Sequence, residues 1–381
     1  MLDPKIREDF PTLSELTYLN TASVGLVPAP VIRELRNFDD DLLARGTTGF
    51  DEVQEIAVLD AARTGAASLV DCVADDIAII SSFTEALNQV AWWVRPSRNQ
   101  NIVTTDAEFP SVTYPWIRVA QETGAEVRFA PLIDNLASFH LEQLTELVDN
   151  ATSVVCISHV QYLTGRRHDL TALAEAAHRN GALLVVDATQ SAGQVPISVK
   201  ESSVDVLIAG GYKWLCAPFG AAFCYLNPKS LEKFDPPFVG WRSMADPYDL
   251  DARWREYAAG AARLEYSTMS YSSAVGLGSS LKYILDIGVD EIFDHNFELT
   301  ERLMGGLREL GSEVLSPATR EERSGSVTVR FPGRASQDLV RGLASNDVIV
   351  SPRRDAARFS MHYYNNADDV DAALSVLASI L

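Results

Sequence analysis

Five short polar stretches in this sequence each follow an apolar, strand-like run, and between them they carry the residue types needed for covalent chemistry on an amine. They are SSFTEA (81–86) after Ile80, DAEFPS (106–111) after Thr105, HVQY (159–162) after Ser158, DATQS (187–191) after Val186 and GGYKW (210–214) after Ala209. Lys213 stands between Tyr212 and Trp214 at the end of an apolar run. Partial desolvation there disfavours the ammonium form and frees an amine nucleophile able to form a Schiff base. Asp187, ending a neighbouring run, is the carboxylate that keeps a pyridinium nitrogen protonated so that the ring acts as an electron sink. A helix opening near Thr84 offers backbone N–H groups and a positive dipole end to a phosphate. Phe109 offers a face to a planar ring.

Each residue alone has an ordinary explanation. A strand-end lysine is commonly a solvated charge, an Asp after an apolar strand commonly caps a helix, and a Phe beside Pro110 commonly packs in a core. The combination is more specific. A phosphate site, a stacking ring, a partner for a ring nitrogen and an amine are the four requirements of pyridoxal 5′-phosphate. A nicotinamide site is disfavoured, since the nearest glycine cluster (276–280, GLGSS) lacks a third glycine and follows no strand. No metal is expected either: the six histidines show no H-x-x-x-H or Cys/His ligand spacing.

These residues need elements to hold them. The chain has 381 residues, 47% of them apolar and 22% charged, which suits about two soluble domains and excludes disorder. Its 52 acidic against 32 basic residues give a formal charge of -20. No basic patch offsets that charge, so neither a nucleic acid nor a membrane surface is expected as a partner. The four cysteines form no C-x-x-C pair, no run is long and apolar enough to span a membrane, and the charged first twenty residues lack the core of a signal peptide, so a cytoplasmic location is expected. From 77 to 209 the sequence alternates strand and helix, with strands expected at 77–80, 101–105, 154–158, 182–186 and 205–209. That alternation gives an α/β fold with a mostly parallel, doubly wound sheet flanked by helices, in which ligands bind beyond the carboxyl ends of the strands. Residues 231–264, with Pro236-Pro237 and a Trp- and Arg-rich stretch, read as a long connection. Helical spacing at 272–285 and 295–310, strand-like runs at 326–331 and 358–364, and helices near 337–344 and from 367 make a smaller α+β domain. The expected division is an N-terminal arm (1–20) packing with the small domain, a large domain (21–265) and a small C-terminal domain (266–381).

The strings VVDATQSAGQVPISV (185–199) and GGYKWLCAPFGAAF (210–223) resemble the class V aminotransferase family of fold type I pyridoxal-phosphate enzymes. The resemblance extends through YLNTASVG (18–25), SSFTEALN (81–88), EFPS (108–111), SHVQYLTG (158–165), LEYST (264–268) and RFSMHYYN (358–365). It implies that Lys213 carries the cofactor and later moves protons at the substrate α-carbon. Asp187 would bind the pyridine nitrogen, Gln190 the ring hydroxyl, and Phe83, Thr84 and Tyr212 the phosphate, with Phe109 on the ring. Thr268 would reach the phosphate of a neighbouring subunit, which implies a homodimer with shared sites. Arg358 would bind the substrate carboxylate through its fork, with Asn20 and Gln161 beside it. Arg263, Trp241, Arg242 and Arg353 are further candidates for the wall.

Departures from the family pattern shape the expected reaction. Cysteine desulfurases of this family carry His where Phe109 stands, Ser-x-His where Gly210-Gly211-Tyr212 stands, and a sulfur-accepting cysteine where the loop here reads VSPRRDAARFS (350–360). EFPS (108–111) together with GGYKW (210–214) resembles most a branch holding enzymes like hercynylcysteine sulfoxide lyase, isopenicillin epimerase and the lincosamide-pathway enzymes, and not a typical desulfurase. The expectation is a lyase cleaving C–S bonds of cysteine-conjugate-like amino acids in specialised metabolism. Transamination or epimerisation is the alternative, and a catalytically silent cofactor-binding scaffold is the alternative outside enzymes.

Overall fold

The structure, a computed structural model, describes residues 2–132, 141–232, 235–253 and 256–381. Among these residues the strands are β1 (Thr17–Tyr18), β2 (Ile77–Ile80), β3 (Asn101–Thr105), β4 (Glu126–Ala130), β5 (Thr152–Ser158), β6 (Leu183–Asp187), β7 (Val206–Gly210), β8 (Ala222–Leu226), β9 (Glu313–Val314), β10 (Ser326–Arg330), β11 (Val348–Ile349), β12 (Ser351–Arg353) and β13 (Ala356–Ser360). Strands β2 to β8 build one sheet in the order β2-β8-β7-β6-β5-β3-β4. From β7 to β4 every pairing is parallel, whereas β8 runs antiparallel to both β7 and β2.

Strands such as VLIAG in β7 are apolar at every position because both faces of this sheet are covered. Alternate side chains divide between two layers. Val154, Cys156, Val206 and Ile208 pack under the helices Phe83–Val94 and Pro110–Thr123, while Val155, Ile157 and Leu207 pack with the helix Leu170–His178 and with Leu59, Leu277 and Leu281. The sequence reading finds five of these seven strands to within two residues at each end. It misses β4, an edge strand with only Ala130 buried, and β8, which lies at the end of the lysine motif.

A second, antiparallel sheet of order β12-β13-β10-β9 packs against the helices Val289–Glu309, Ser336–Ala344 and Ala367–Ile380 through Leu303, Val327, Phe359 and Val370. The N-terminal segment joins it: β1 pairs in parallel with β11, and Arg7 forms an ion pair with Asp369. The helix Tyr271–Ile287 instead buries Leu277, Leu281 and Ile284 in the core of the large sheet. The glycine cluster lies on this helix, where a Cβ on Gly276 would sit 2.5 Å from Pro218, so close helix packing accounts for it. The connection 231–264 holds the short turns Trp241–Ser243 and Ala261–Leu264; residues 233–234 and 254–255, within its expected Trp- and Arg-rich stretch, lie outside the described residues. Among the described residues no helix is long and apolar enough to cross a membrane.

Candidate active site

The parallel strands share a direction, so the turns that follow them meet along one edge of the sheet. Asp187 is the last residue of β6, His159 follows β5, Phe109 lies four residues beyond β3 and Lys213 three beyond β7. The Lys213 Nζ sits 5.7 Å from the Phe109 ring centre and 5.6 Å from that of Tyr212. Burial brings its pKa down to about 8, against the pull of Asp187, with Arg358 and Arg353 pushing the same way as burial. Trp214, expected as the second ring beside this amine, turns into the core: its Nε1 donates to Gln190 Oε1 at 2.7 Å.

The lysine turn is gripped from the N-terminal segment. Gly25 donates its N–H to the Tyr212 carbonyl at 2.9 Å, and the Lys213 carbonyl accepts from Cys216 N–H at 2.9 Å. A Cβ on Gly25 would fall 2.0 Å from the Lys213 carbonyl oxygen, so only glycine permits this approach.

Asp187 is buried, and its Oδ1 accepts the Thr189 N–H at 2.8 Å. Burial raises its pKa, opposed by Thr189 and then by Lys213. Glu108, which the sequence reading quoted only within EFPS, is a second buried carboxyl. It accepts the Ser158 N–H at 2.9 Å and the Ser158 hydroxyl, and burial lifts its pKa to about 7, with Asp187 adding to the rise. A carboxyl three residues beyond β3, in a turn that shares its sheet edge with Asp187, was the available signal.

At the far side, Ser82 caps the helix Phe83–Val94 by accepting the Glu85 N–H at 3.1 Å. The N–H groups of Phe83 and Thr84 have no intrahelical acceptor at such a terminus and point outward from it. The Phe83 ring is buried, so its backbone alone can serve a ligand. Thr84 Oγ1 donates to Ser111 Oγ at 3.1 Å. Phe109 is 46% exposed and meets Tyr162 edge to face, which leaves a ring face open above the crevice. Tyr212 stacks on Phe219.

Arg358, on β13, is buried and donates from Nη1 to the Tyr162 carbonyl at 2.7 Å and from Nη2 to Ser23 Oγ at 3.1 Å. Asn20 bridges to Ser360 on the same strand, and its Oδ1 is buried without a partner. Most of the other candidate residues already have partners within the chain. Gln161 shapes its own turn: Nε2 donates to the Ala107 carbonyl, and Oε1 accepts from the N–H groups of Leu163 and Thr164. Gln190 ties Ala22 to Trp214, donating to the Ala22 carbonyl at 3.0 Å, so its amide oxygen is spent and one N–H remains. Arg242 leaves the wall for a buried cluster in which its Nη1 meets Glu55 and the hydroxyls of Tyr248 and Tyr271, with the Trp241 ring over its guanidinium. Arg263 donates to the Gly260 carbonyl, and Thr268 is exposed. Among the described residues no group of three His, Cys, Asp or Glu gathers as metal ligands.

A desolvated amine, a buried carboxylate, two outward N–H groups and an open aromatic face fit pyridoxal 5′-phosphate, and they do so within one crevice. Comparison with known proteins agrees. The family model for aminotransferase class-V matches residues 17–373. The chain is 31% identical to an uncharacterized aminotransferase, YcbU, of Bacillus subtilis, covering 99% of this chain and 98% of that one. It is 26% identical to a probable cysteine desulfurase of Pyrococcus abyssi, over 99% and 97% of the two chains. The apo structure of a cysteine desulfurase from Thermococcus onnurineus superposes with a TM-score of 0.90 at 25% identity, covering 100% of this chain and 98% of that one. The chain belongs to the class V aminotransferase family, and it is a fold type I enzyme that uses pyridoxal 5′-phosphate.

Proposed function

We propose that the protein is a lyase that breaks the Cβ–S bond of a cysteine-type amino acid and releases the sulfur group to solvent. The carrying observation concerns its thiols. The loop 350–360 has no cysteine, while Cys156, Cys216 and Cys224 are buried and burial pushes all three thiols up, that of Cys216 to about 12. Cys72, half-buried, is likewise pushed up to about 12 by burial and by Asp76 and Asp71. A protonated, enclosed thiol accepts no sulfur. Relatives named for desulfuration support chemistry at a C–S bond, and the missing acceptor supports the lyase reading over desulfuration.

Pyridoxal phosphate, when bound, supplies an electron sink through its protonated ring nitrogen. Asp187 would hold that proton in place, Phe109 would lie on the ring and the N–H groups of Phe83 and Thr84 would hold the phosphate. Arg358 anchors the substrate α-carboxylate. The Lys213 amine, neutral above about pH 8, takes the α-proton as the Cα–H bond breaks; the sulfur then departs from Cβ with the bonding pair. In this reading Thr268 of a second copy completes the phosphate grip of a homodimer. Four free cysteines suit the reducing cytoplasm.

Purified protein incubated with S-substituted cysteines and no keto-acid acceptor should release keto acid and thiol in equal amounts. A strict need for an acceptor would instead establish transamination, the reading that the name of the Bacillus subtilis relative favours.

A further inference from the structure

Two guanidinium groups meet on one neutral oxygen beside the reacting amine. Arg353 Nη2 and Arg358 Nη2 each lie 3.1 Å from Ser23 Oγ. Their remaining hydrogen bonds go to backbone carbonyls, Pro352 for Arg353 and Tyr162 for Arg358, and the Nε of each is buried without a partner. Neither forms an ion pair with a carboxylate among the described residues. Together with Lys213 they make three basic groups in one corner, against the buried carboxyls of Asp187 and Glu108. On the reading given above, the cofactor's phosphate would be held at the start of the helix Phe83–Val94 and would not pair with either arginine. An amino acid's α-carboxylate accounts for one fork, and the second is left facing the crevice with its charge unanswered.

We propose that Arg353 binds a second anionic group, carried on the substrate's side chain, so that the enzyme selects amino acids with an acidic side chain, carboxylate or sulfur oxyacid. This rests on the reading of Arg358 and Lys213 given above and narrows the substrate class. Ser23, accepting from both forks, sets their spacing and therefore the distance between the two anions.

The test uses the holoenzyme and the visible spectrum of its cofactor as a binding readout, independent of turnover. L-aspartate and L-asparagine have the same shape and differ by one charge. Aspartate should bind about tenfold or more tightly than asparagine, the order of a charge-assisted fork. In Arg353→Gln the ratio should fall to about one, and Arg353→Lys should keep part of it. Equal affinities in the wild type, no response to either amino acid, or an unchanged ratio in R353Q overturns the assignment. Loss of the phosphopyridoxyl label from Lys213 after borohydride reduction would instead count against the underlying site, and the two failures are separable.

Discussion

Arg242 and Arg358 are both buried arginines, each a few residues from aromatic rings, yet their surroundings differ in one respect. Around Arg242 the charge is closed: Glu55 answers it directly, and the Tyr248 and Tyr271 hydroxyls complete the cluster, both also donating to Glu55. Arg323 also has its charge answered, by Glu301 with the Phe297 ring alongside, although its Nε and Nη2 are buried without partners. Around Arg358 it is open, with a serine, a carbonyl and another arginine for company. Burying an unanswered charge costs several kcal/mol per ion, so folding alone does not favour that arrangement. A closed arginine is part of the scaffold; an open one anticipates a ligand.

The contrast can be broken in four ways. Lys213→Ala removes the amine on the open side and should lower turnover by about 10³-fold or more, some 4 kcal/mol, while chemical denaturation curves stay where they were. Unchanged turnover would remove Lys213 from the chemistry. On the closed side, Arg242→Met strands Glu55 and should cost roughly 3 kcal/mol of stability, read from the urea midpoint, because one partner of a buried pair is lost. A midpoint shift below about 0.5 kcal/mol would mean that the cluster is not closed in solution.

Arg358→Gln should do the reverse of Arg242→Met. Amino-acid affinity should weaken about thirtyfold, near 2 kcal/mol, with the cofactor spectrum intact and stability unchanged or higher, since the substitution relieves buried repulsion with Arg353. Lower stability with normal affinity would make Arg358 another scaffold residue.

The smallest effect is a titration. Burial lowers the Lys213 pKa, so the folded chain binds fewer protons there than the unfolded one, and the reactive neutral amine appears as pH rises through about 8 instead of through the usual lysine range. The rate at which the cofactor-free protein captures pyridoxal phosphate should rise with a midpoint there. Asp187→Asn should move that midpoint further down, because the carboxylate favours the ammonium form. A midpoint near the ordinary lysine value would show that the amine is solvated.

Lys213, Asp187 and Phe109 were legible in the sequence because each follows its strand within a few residues, and strand direction alone brings those turns together. The open arginine corner was not. Ser23 is 330 residues from Arg353 and 335 from Arg358, and only the docking of the N-terminal segment onto β13 assembles them. Gln161 was legible as a polar residue in a strand-end turn, but its ties to the N–H groups of Leu163 and Thr164 come only from how that turn folds. Strand β8 was hidden because its wholly apolar run continues a motif read for its lysine, and β4 because an edge strand that buries only Ala130 mixes polar and apolar residues.

That hidden strand has a consequence for the crevice. By entering antiparallel between β7 and β2, β8 keeps the turn that carries Lys213 and the turn that opens at Ser81 two strand spacings apart, about 10 Å, where direct neighbours would leave about 5 Å. Its first contact also clamps the lysine turn, since the Ala221 carbonyl accepts the Gly211 N–H at 3.0 Å. One hairpin thus serves as a gauge block between the two grips, and the length of molecule the enzyme can hold is written into a strand that touches none of it.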